Sequence, residues 1–363
     1  MRPQGTLHIV IVAGGTGGHL FPGIAVAREF QRQGARVTFL TTPRGGAGEI
    51  LSRLGLTWEA VASRALVGQG LWARLRALGS LPGNILAARR RLKALAPDLV
   101  LGMGGYAAAP VGLAAASLGI PLALHEQNAI PGLTNRRLAR FARQIFLSFP
   151  DPRGLPPEKC LWTGNPIREE FLVPPPPRPE RPFTVLIMGG SQGARHLNFQ
   201  VVAALPLLAP RRGELHFLHL TGEADYEPVA AGYREAGFPG EVAAFSPEVA
   251  ALMGRAHLVV CRAGASTLAE LTAVGRGAVL VPYPFAAGNH QEANARYLEA
   301  AGAAEVVLNK DFTAAVFADK IRYFLEDPGR LAAMEAASRS LAKPGAAREI
   351  VHGCLALLSS SAP

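Results

Sequence analysis

Leu7–His19 reads LHIVIVAGGTGGH, and Phe183–Arg195 reads FTVLIMGGSQGAR. Each is an apolar run ending in Gly-Gly, then Thr or Ser, then another Gly two residues on. A continuous Val/Ile/Leu run with no alternation fits a parallel strand covered on both faces. Glycines at its carboxyl end fit a tight turn into a helix. The two glycine pairs stand 175 positions apart in a chain of 363 residues. The chain thus opens twice in the same way, which argues for an α/β protein of two tandem, doubly wound parallel-sheet domains.

Between the repeats lies Val173–Pro182, VPPPPRPERP. Its prolines have fixed φ and no amide donor, so it is predicted to be extended and to act as the interdomain linker. Further strands are expected at Val37–Leu40, Leu99–Leu101, Leu122–Leu124, His216–Leu220, Leu258–Cys261 and Val279–Val281. Helices are expected at Pro22–Gln33, Leu133–Phe141, Ser266–Val274 and Gln291–Ala301. The domains are placed at 1–165 and 166–344, with a linker over about 165–182. A last helix within 345–363 carries Ile350, Val351, Cys354, Leu355 and Leu357 and is expected to pack back on the first domain.

Hydrophobic residues make up 49% of the chain and charged residues 18%, which excludes a disordered protein. The net charge of +10 predicts attraction to an acidic partner: nucleic acid, anionic lipid or a phosphorylated substrate. Cys160, Cys261 and Cys354 lie far apart and form neither a metal spacing nor a disulfide framework, as expected of a reducing cytosol. The apolar stretch Leu7–Ala13 is too short to span a membrane, and no segment reaches about 18 uninterrupted apolar residues. A soluble or peripheral protein is expected.

A glycine turn between strand and helix aims backbone N–H groups at a phosphate. Gly15-Thr16-Gly17-Gly18-His19-Leu20 lacks the last glycine of a dinucleotide fingerprint. The strand near Thr38–Leu40 runs into Thr41-Thr42-Pro43-Arg44, where a NAD site needs an acidic residue. No Gly-Lys-Ser/Thr follows, so the P-loop pattern is missing too. A further turn, Cys261-Arg262-Ala263-Gly264-Ala265-Ser266-Thr267, leads to Glu270 about one turn inside the next helix. A carboxylate there either accepts two ribose hydroxyls or is an acidic residue favoured near a helix start.

Together GGTGGHLFP (14–22), GMGGY (102–106), HEQN (125–128), GNPIR (164–168), GGSQGAR (189–195), CRAGASTLAE (261–270) and NHQEANA (289–295) resemble the MurG family. That family comprises the N-acetylglucosaminyltransferases that complete the lipid-linked peptidoglycan precursor. The motifs keep the family's order across most of the chain. The resemblance implies a GT-B architecture, two Rossmann-like domains facing each other across a cleft. The second would bind UDP-GlcNAc and the first the undecaprenyl-pyrophosphoryl-MurNAc-pentapeptide acceptor.

By that resemblance Glu270 holds the ribose, Ser191 and Gln192 meet the diphosphate, and Gly264, Ser266 and Thr267 line the helix start beside it. Gln291 reads the sugar hydroxyls, Arg168 lies near the nucleotide, and backbone near Ser246, after Phe245, pairs with uracil. The implied reaction is attack of the muramyl C4 hydroxyl on the anomeric carbon, with inversion and loss of UDP. It needs a base and stabilisation of the leaving diphosphate. His19 is the first candidate base, since imidazole titrates near neutrality; the competing role is packing under the loop. Glu126 is the rival base. Thr16, Gly17, Gly18, Tyr106 and Asn128 are expected on the acceptor side. No Asp-x-Asp is present, so no metal site and no essential cofactor are expected. Helix N-termini and Arg168 would then carry the leaving-group charge.

From Ala60 to Pro97 there is no acidic residue. Leu71, Trp72, Leu75 and Leu78 fall on one helical face among Arg74, Arg76 and Arg89. Arg136, Arg140 and Arg143 form a second basic set at i, i+4, i+7 spacing. Such a surface suits an anionic bilayer and predicts a peripheral protein at the cytoplasmic face of the membrane, with cell-wall synthesis proteins as further partners. The competing reading is an ordinary helix with solvated arginines. Only 7% of residues are aromatic and no reading helix is evident, which argues against nucleic acid. Other functions compatible with the pattern are a different GT-B glycolipid transferase, a UDP-sugar epimerase, or a non-catalytic UDP-sugar-binding module.

Overall fold

The computed structural model describes residues 6–15, 17–42, 46–61, 71–190 and 193–359, with backbone alone for 71–78. Contacts divide the chain into two units. The first is Met1–Arg168 with Lys343–Pro363, and the second is Glu169–Ala342.

In the first unit the strands are β1 (His8–Ala13), β2 (Arg36–Thr41), β3 (Trp58–Ala60), β4 (Leu99–Gly102), β5 (Leu122–Glu126), β6 (Gln144–Leu147) and β7 (Cys160–Trp162). They form one sheet in the order β3-β2-β1-β4-β5-β6-β7, parallel throughout. Its helices are α1 (Gly17–Arg32), α2 (Ala47–Arg53), α3 (Leu71–Leu95), α4 (Ala108–Ser117) and α5 (Leu133–Leu138).

The second unit holds β8 (Phe183–Met188), β9 (Leu215–Leu220), β10 (Gly240–Ala243), β11 (Leu258–Cys261), β12 (Gly277–Leu280) and β13 (Ala304–Val306). The order is β10-β9-β8-β11-β12-β13, again parallel. Around it lie α6 (Arg195–Leu208), α7 (Tyr226–Ala236), α8 (Val249–Arg255), α9 (Ala265–Val274), α10 (His290–Ala300), α11 (Ala314–Glu326) and α12 (Pro328–Ser340).

Strands β1 and β8, the two quoted runs, are buried at every position because helices cover both faces of each sheet. In each sheet strand order reverses beside this strand, at β1/β4 and at β8/β11. Ligands of such sheets bind outside the carboxyl ends at that switch point. Register brings the ends together: Val12 pairs with Gly102, and Met188 with Cys261.

The last helix, α13 (Ala346–Ser359), belongs to the first unit and packs on α1 and β6. Ile350, Val351 and Cys354 are buried in the cluster that holds Ile9, Ile11 and Phe146. Gly353 permits this close seat, since a Cβ there would meet the Phe146 ring at 2.6 Å. Val173–Pro182 contains neither helix nor strand before β8 begins at Phe183. It lies on the second unit rather than hanging free: Arg178 pairs with Glu335 at 2.7 Å, and Pro175 sits against Gly254.

Three expected boundaries move. Helix α1 starts at Gly17 rather than Pro22; the amide bond that Pro22 cannot make is tolerated because Gly18 is exposed and water can serve its carbonyl. Helix α5 ends at Leu138, where the amide of Phe141 turns back to the Leu138 carbonyl at 2.9 Å. Arg140 and Arg143 therefore leave the helix, and the expected i, i+4, i+7 face does not form. Strand β12 is shifted to Gly277–Leu280.

Candidate active site

In the first unit the ends of β1, β4 and β5 converge on His19. The residue lies in the first turn of α1 and is half-buried. Its ring packs on the turn after β4. A Cβ on Gly104 would meet the His19 Cδ2 at 2.9 Å and Nε2 at 3.1 Å, and one on Gly14 would meet Nδ1 at 3.4 Å. Gly104 and Gly105 have φ of +87° and +79°, a region that L residues rarely adopt. The glycines of GMGGY thus do two things: they turn the chain and leave a shelf for an imidazole. Tyr106 follows on the same turn and is 38% exposed.

Behind His19 lies a buried chain of polar groups. The Gln127 carboxamide donates to the Met103 carbonyl at 2.7 Å and to His125 Nδ1 at 3.0 Å. With Nδ1 accepting, His125 Nε2–H faces the Gly164 carbonyl at 3.3 Å, which fixes one neutral tautomer. Burial pushes the His125 pKa down to about 4; the Gly164 carbonyl opposes the shift and the nearby His19 adds to it.

Glu126 points to the other side of β5, as strand alternation requires. Its carboxylate accepts from the Asn128 amide at 3.0 Å, the Gly132 amide at 3.0 Å and the Asn135 side chain at 2.8 Å. Burial raises its pKa above the usual carboxylate range, and these donors pull it back. A 3% exposed carboxylate so engaged holds the Asn128–Asn135 loop in place; it is poorly placed to collect a substrate proton. Asn128 itself is tied to Glu126. Arg168, the last residue before the unit boundary, lays its guanidinium over Phe21 of α1 at 5.3 Å.

In the second unit α9 starts at the switch point, with Gly264 extended as its N-cap. Three side chains brace the Ala263–Gly264 turn. Gln291 Oε1 accepts from the Ala263 amide at 3.2 Å and the Tyr283 amide at 3.0 Å. Asn294 donates to the Ala263 carbonyl at 3.2 Å. Arg262 donates to the carbonyls of Val281 and Pro282 at 2.9 and 3.2 Å. The Ser266 hydroxyl, in the first turn of α9, is buried with no hydrogen-bond partner among the described residues; such an oxygen calls for a partner that water or a ligand can supply. Thr267 stands beside it, half-buried, and Glu270 is 6% exposed one turn further on. Ser246 lies in the loop after β10, its hydroxyl accepting from the Glu248 amide at 3.1 Å.

Thr16, Ser191 and Gln192 lie outside the described residues, as do the side chains of Leu71, Trp72, Arg74, Arg76, Leu75 and Leu78, whose backbone begins α3. Gly17 and Gly18 are exposed in the first turn of α1. Arg89 does not join a free basic surface: it donates to the Ser117 carbonyl at 3.0 Å and hydroxyl at 2.7 Å, a cation at the carbonyl end of α4. Arg136 and Arg140 are exposed. Among the described residues no cluster of three His, Cys, Asp or Glu is arranged to hold a metal, and no helix is long and apolar enough to cross a membrane.

The sequence reading gave no role to His125, Gln127, Gly104, Arg262 or Asn294. Alternation along β5 carried the missed signal, because His125 and Gln127 must share the face that Glu126 does not.

Tandem parallel sheets, each with a glycine turn at its switch point, make this a GT-B fold. Residues 9–147 match the glycosyltransferase family 28 N-terminal domain, and residues 184–350 match the family 28 C-terminal domain. A UDP-N-acetylglucosamine--N-acetylmuramyl-(pentapeptide) pyrophosphoryl-undecaprenol N-acetylglucosamine transferase of Syntrophus aciditrophicus is 42% identical, over 97% of this chain and 99% of its own. The crystal structure of Acinetobacter baumannii MurG superposes with a TM-score of 0.80 at 32% identity, over 96% of this chain and 99% of that one. A UDP-GlcNAc 2-epimerase from Neisseria meningitidis, at 16% identity and a TM-score of 0.69, shares the fold alone. The chain belongs to the MurG family of glycosyltransferases.

Proposed function

We propose that this protein transfers GlcNAc from UDP-GlcNAc to the C4 hydroxyl of the muramyl-pentapeptide carried on undecaprenyl pyrophosphate, with inversion at the anomeric carbon. The observation that carries the reading is full-length membership of the MurG family, joined to a histidine seated at one switch point and a braced helix start at the other.

His19 serves as the base. The muramyl hydroxyl gives its proton to the imidazole as its oxygen bonds to C1, and the bond from C1 to the diphosphate oxygen breaks to release UDP. Packing against Gly14 and Gly104 limits the ring to a small range of orientations, which lowers the entropic cost of that geometry. Glu126 acts as a positioning residue through the Asn128–Asn135 loop. In the second unit the N-termini of α6 and α9 meet the diphosphate, and their dipoles stabilise charge as UDP departs. Ser266 supplies a hydroxyl there, Glu270 takes the ribose and Gln291 the sugar. Arg168 adds a cation near the nucleotide. No divalent cation is required for donor binding.

The acceptor's lipid anchor places the protein at the cytoplasmic face of the membrane. Exposed Arg136 and Arg140, together with the start of α3, meet the anionic surface there. The test is UDP release with both substrates present against either one alone, followed by NMR of the product linkage. A β-configured 1→4 disaccharide supports the proposal; UDP release without a lipid-linked disaccharide defeats it.

A further inference from the structure

The two most exposed aromatic side chains among the described residues are Phe285, at 82%, and Phe245, at 67%. Both stand on loops at the carboxyl, ligand-binding end of the second sheet. Phe245 follows β10, and Phe285 follows β12. In the sheet order β10-β9-β8-β11-β12-β13 these strands are four spacings apart, roughly 19 Å. Between them, two and three spacings from β10, lie the glycine turns after β8 and β11. A nucleoside diphosphate sugar has the same linear order: an aromatic base, a diphosphate, then a pyranose.

The loop that carries Phe285 is built rather than loose. Gln291 Oε1 fixes the Tyr283 amide, Arg262 holds the carbonyls on either side of the Val281–Pro282 bond, and its guanidinium lies 5.8 Å from the Tyr283 ring. Tyr283 in turn supports Phe285 edge-on, with ring centroids 5.7 Å apart. One exposed ring is ordinary on a protein surface; here two exposed rings, Tyr283 and Phe285, stand edge to face on a braced loop at the ligand-binding end of the sheet, and that placement suits a ligand contact. A pyranose offers one, because its face of C–H bonds is electropositive and meets the electron-rich face of an aromatic ring.

We infer that Phe285, supported by Tyr283, is the wall on which the apolar face of the donor's hexosamine stacks. This rests on the proposed function, in which the second unit binds the UDP-sugar. Phe285 then determines how well the sugar, as distinct from the nucleotide, is held. Because the ring is exposed, its removal leaves the fold intact.

The experiment is calorimetric titration of the full chain with UDP and with UDP-GlcNAc, for the wild type, Phe285→Ala, Phe285→Leu and Phe285→Tyr. Expected is an unchanged UDP affinity in all four. UDP-GlcNAc should weaken by about five- to tenfold in Phe285→Ala, weaken similarly in Phe285→Leu, and recover in Phe285→Tyr. Equal loss for both ligands, or no loss for either, overturns the inference. A wild type that binds UDP-GlcNAc normally while Phe285→Ala also does so defeats this inference alone. A wild type that fails to bind UDP-GlcNAc defeats the reading beneath it.

Discussion

Replacing Gly104 with alanine presses directly on His19. The new Cβ would stand 2.9 Å from Cδ2 and 3.1 Å from Nε2 of the imidazole, where ordinary contacts begin at 3.4 Å. The ring must therefore retreat by about half an ångström. Misplacing a catalytic group by about 1 Å costs on the order of 100-fold in rate, so kcat is expected to fall by roughly 10- to 100-fold. The φ of +87° adds backbone strain of about 1–2 kcal/mol, which lowers the first unit's melting temperature by roughly 2–8 °C. UDP-GlcNAc affinity is expected to stay unchanged. The assay is steady-state transfer with Gly104→Ala, His19→Ala and the double variant. If the alanine acts through the ring, the double variant is no slower than His19→Ala alone. Fully additive losses would refute the shelf as the site of action, and a wild-type kcat in Gly104→Ala would refute the need for a fixed ring.

Three other outcomes are expected. Between pH 6.5 and about 4 the unfolded chain protonates His125 while the folded one does not. The unfolded state then binds more protons, so stability falls as pH drops, by about 2 kcal/mol at pH 5; urea melts should show a shallower acid dependence in His125→Gln. Glu126→Gln puts an amide among groups that all donate to this position and should lower stability by about 2–3 kcal/mol. It should also reduce kcat while leaving the acid limb of kcat/KM in place; loss of that limb would make Glu126 the base. Chelation with EDTA should alter the UDP-GlcNAc Kd by less than about twofold, as expected if helix termini carry the diphosphate, and a larger change measured by calorimetry would require a metal.

Much of the fold was legible because glycine and apolar patterning are local. The repeat at Gly14 and Gly189 announced two parallel-sheet domains and the glycine turn after the first strand of each. Edge strands were not legible: Trp58–Ala60 and Ala304–Val306 have three residues each, too few for a period to emerge. The start of α1 was misread because proline usually opens a helix, whereas here Pro22 stands inside one. At the candidate site, His19 and Glu270 follow glycine turns, which is why their motifs single them out as candidates. Sequence alone leaves His19 and Glu126 as rival bases, because the donors that engage the Glu126 carboxylate come from residues up to nine positions away. Arg89 looked like free charge because nothing local announces Ser117 as its partner, 28 positions on.

Labelled GlcNAc can be followed from UDP-GlcNAc to a lipid-linked muramyl-pentapeptide, with His19→Ala and Glu270→Ala measured alongside. Label should reach the lipid with the wild type. His19→Ala should slow turnover at unchanged donor KM, and Glu270→Ala should raise donor KM by about 10- to 100-fold through loss of a charged hydrogen-bond acceptor. UDP-GlcNAc binding with no label on the lipid would rule out transfer to this acceptor.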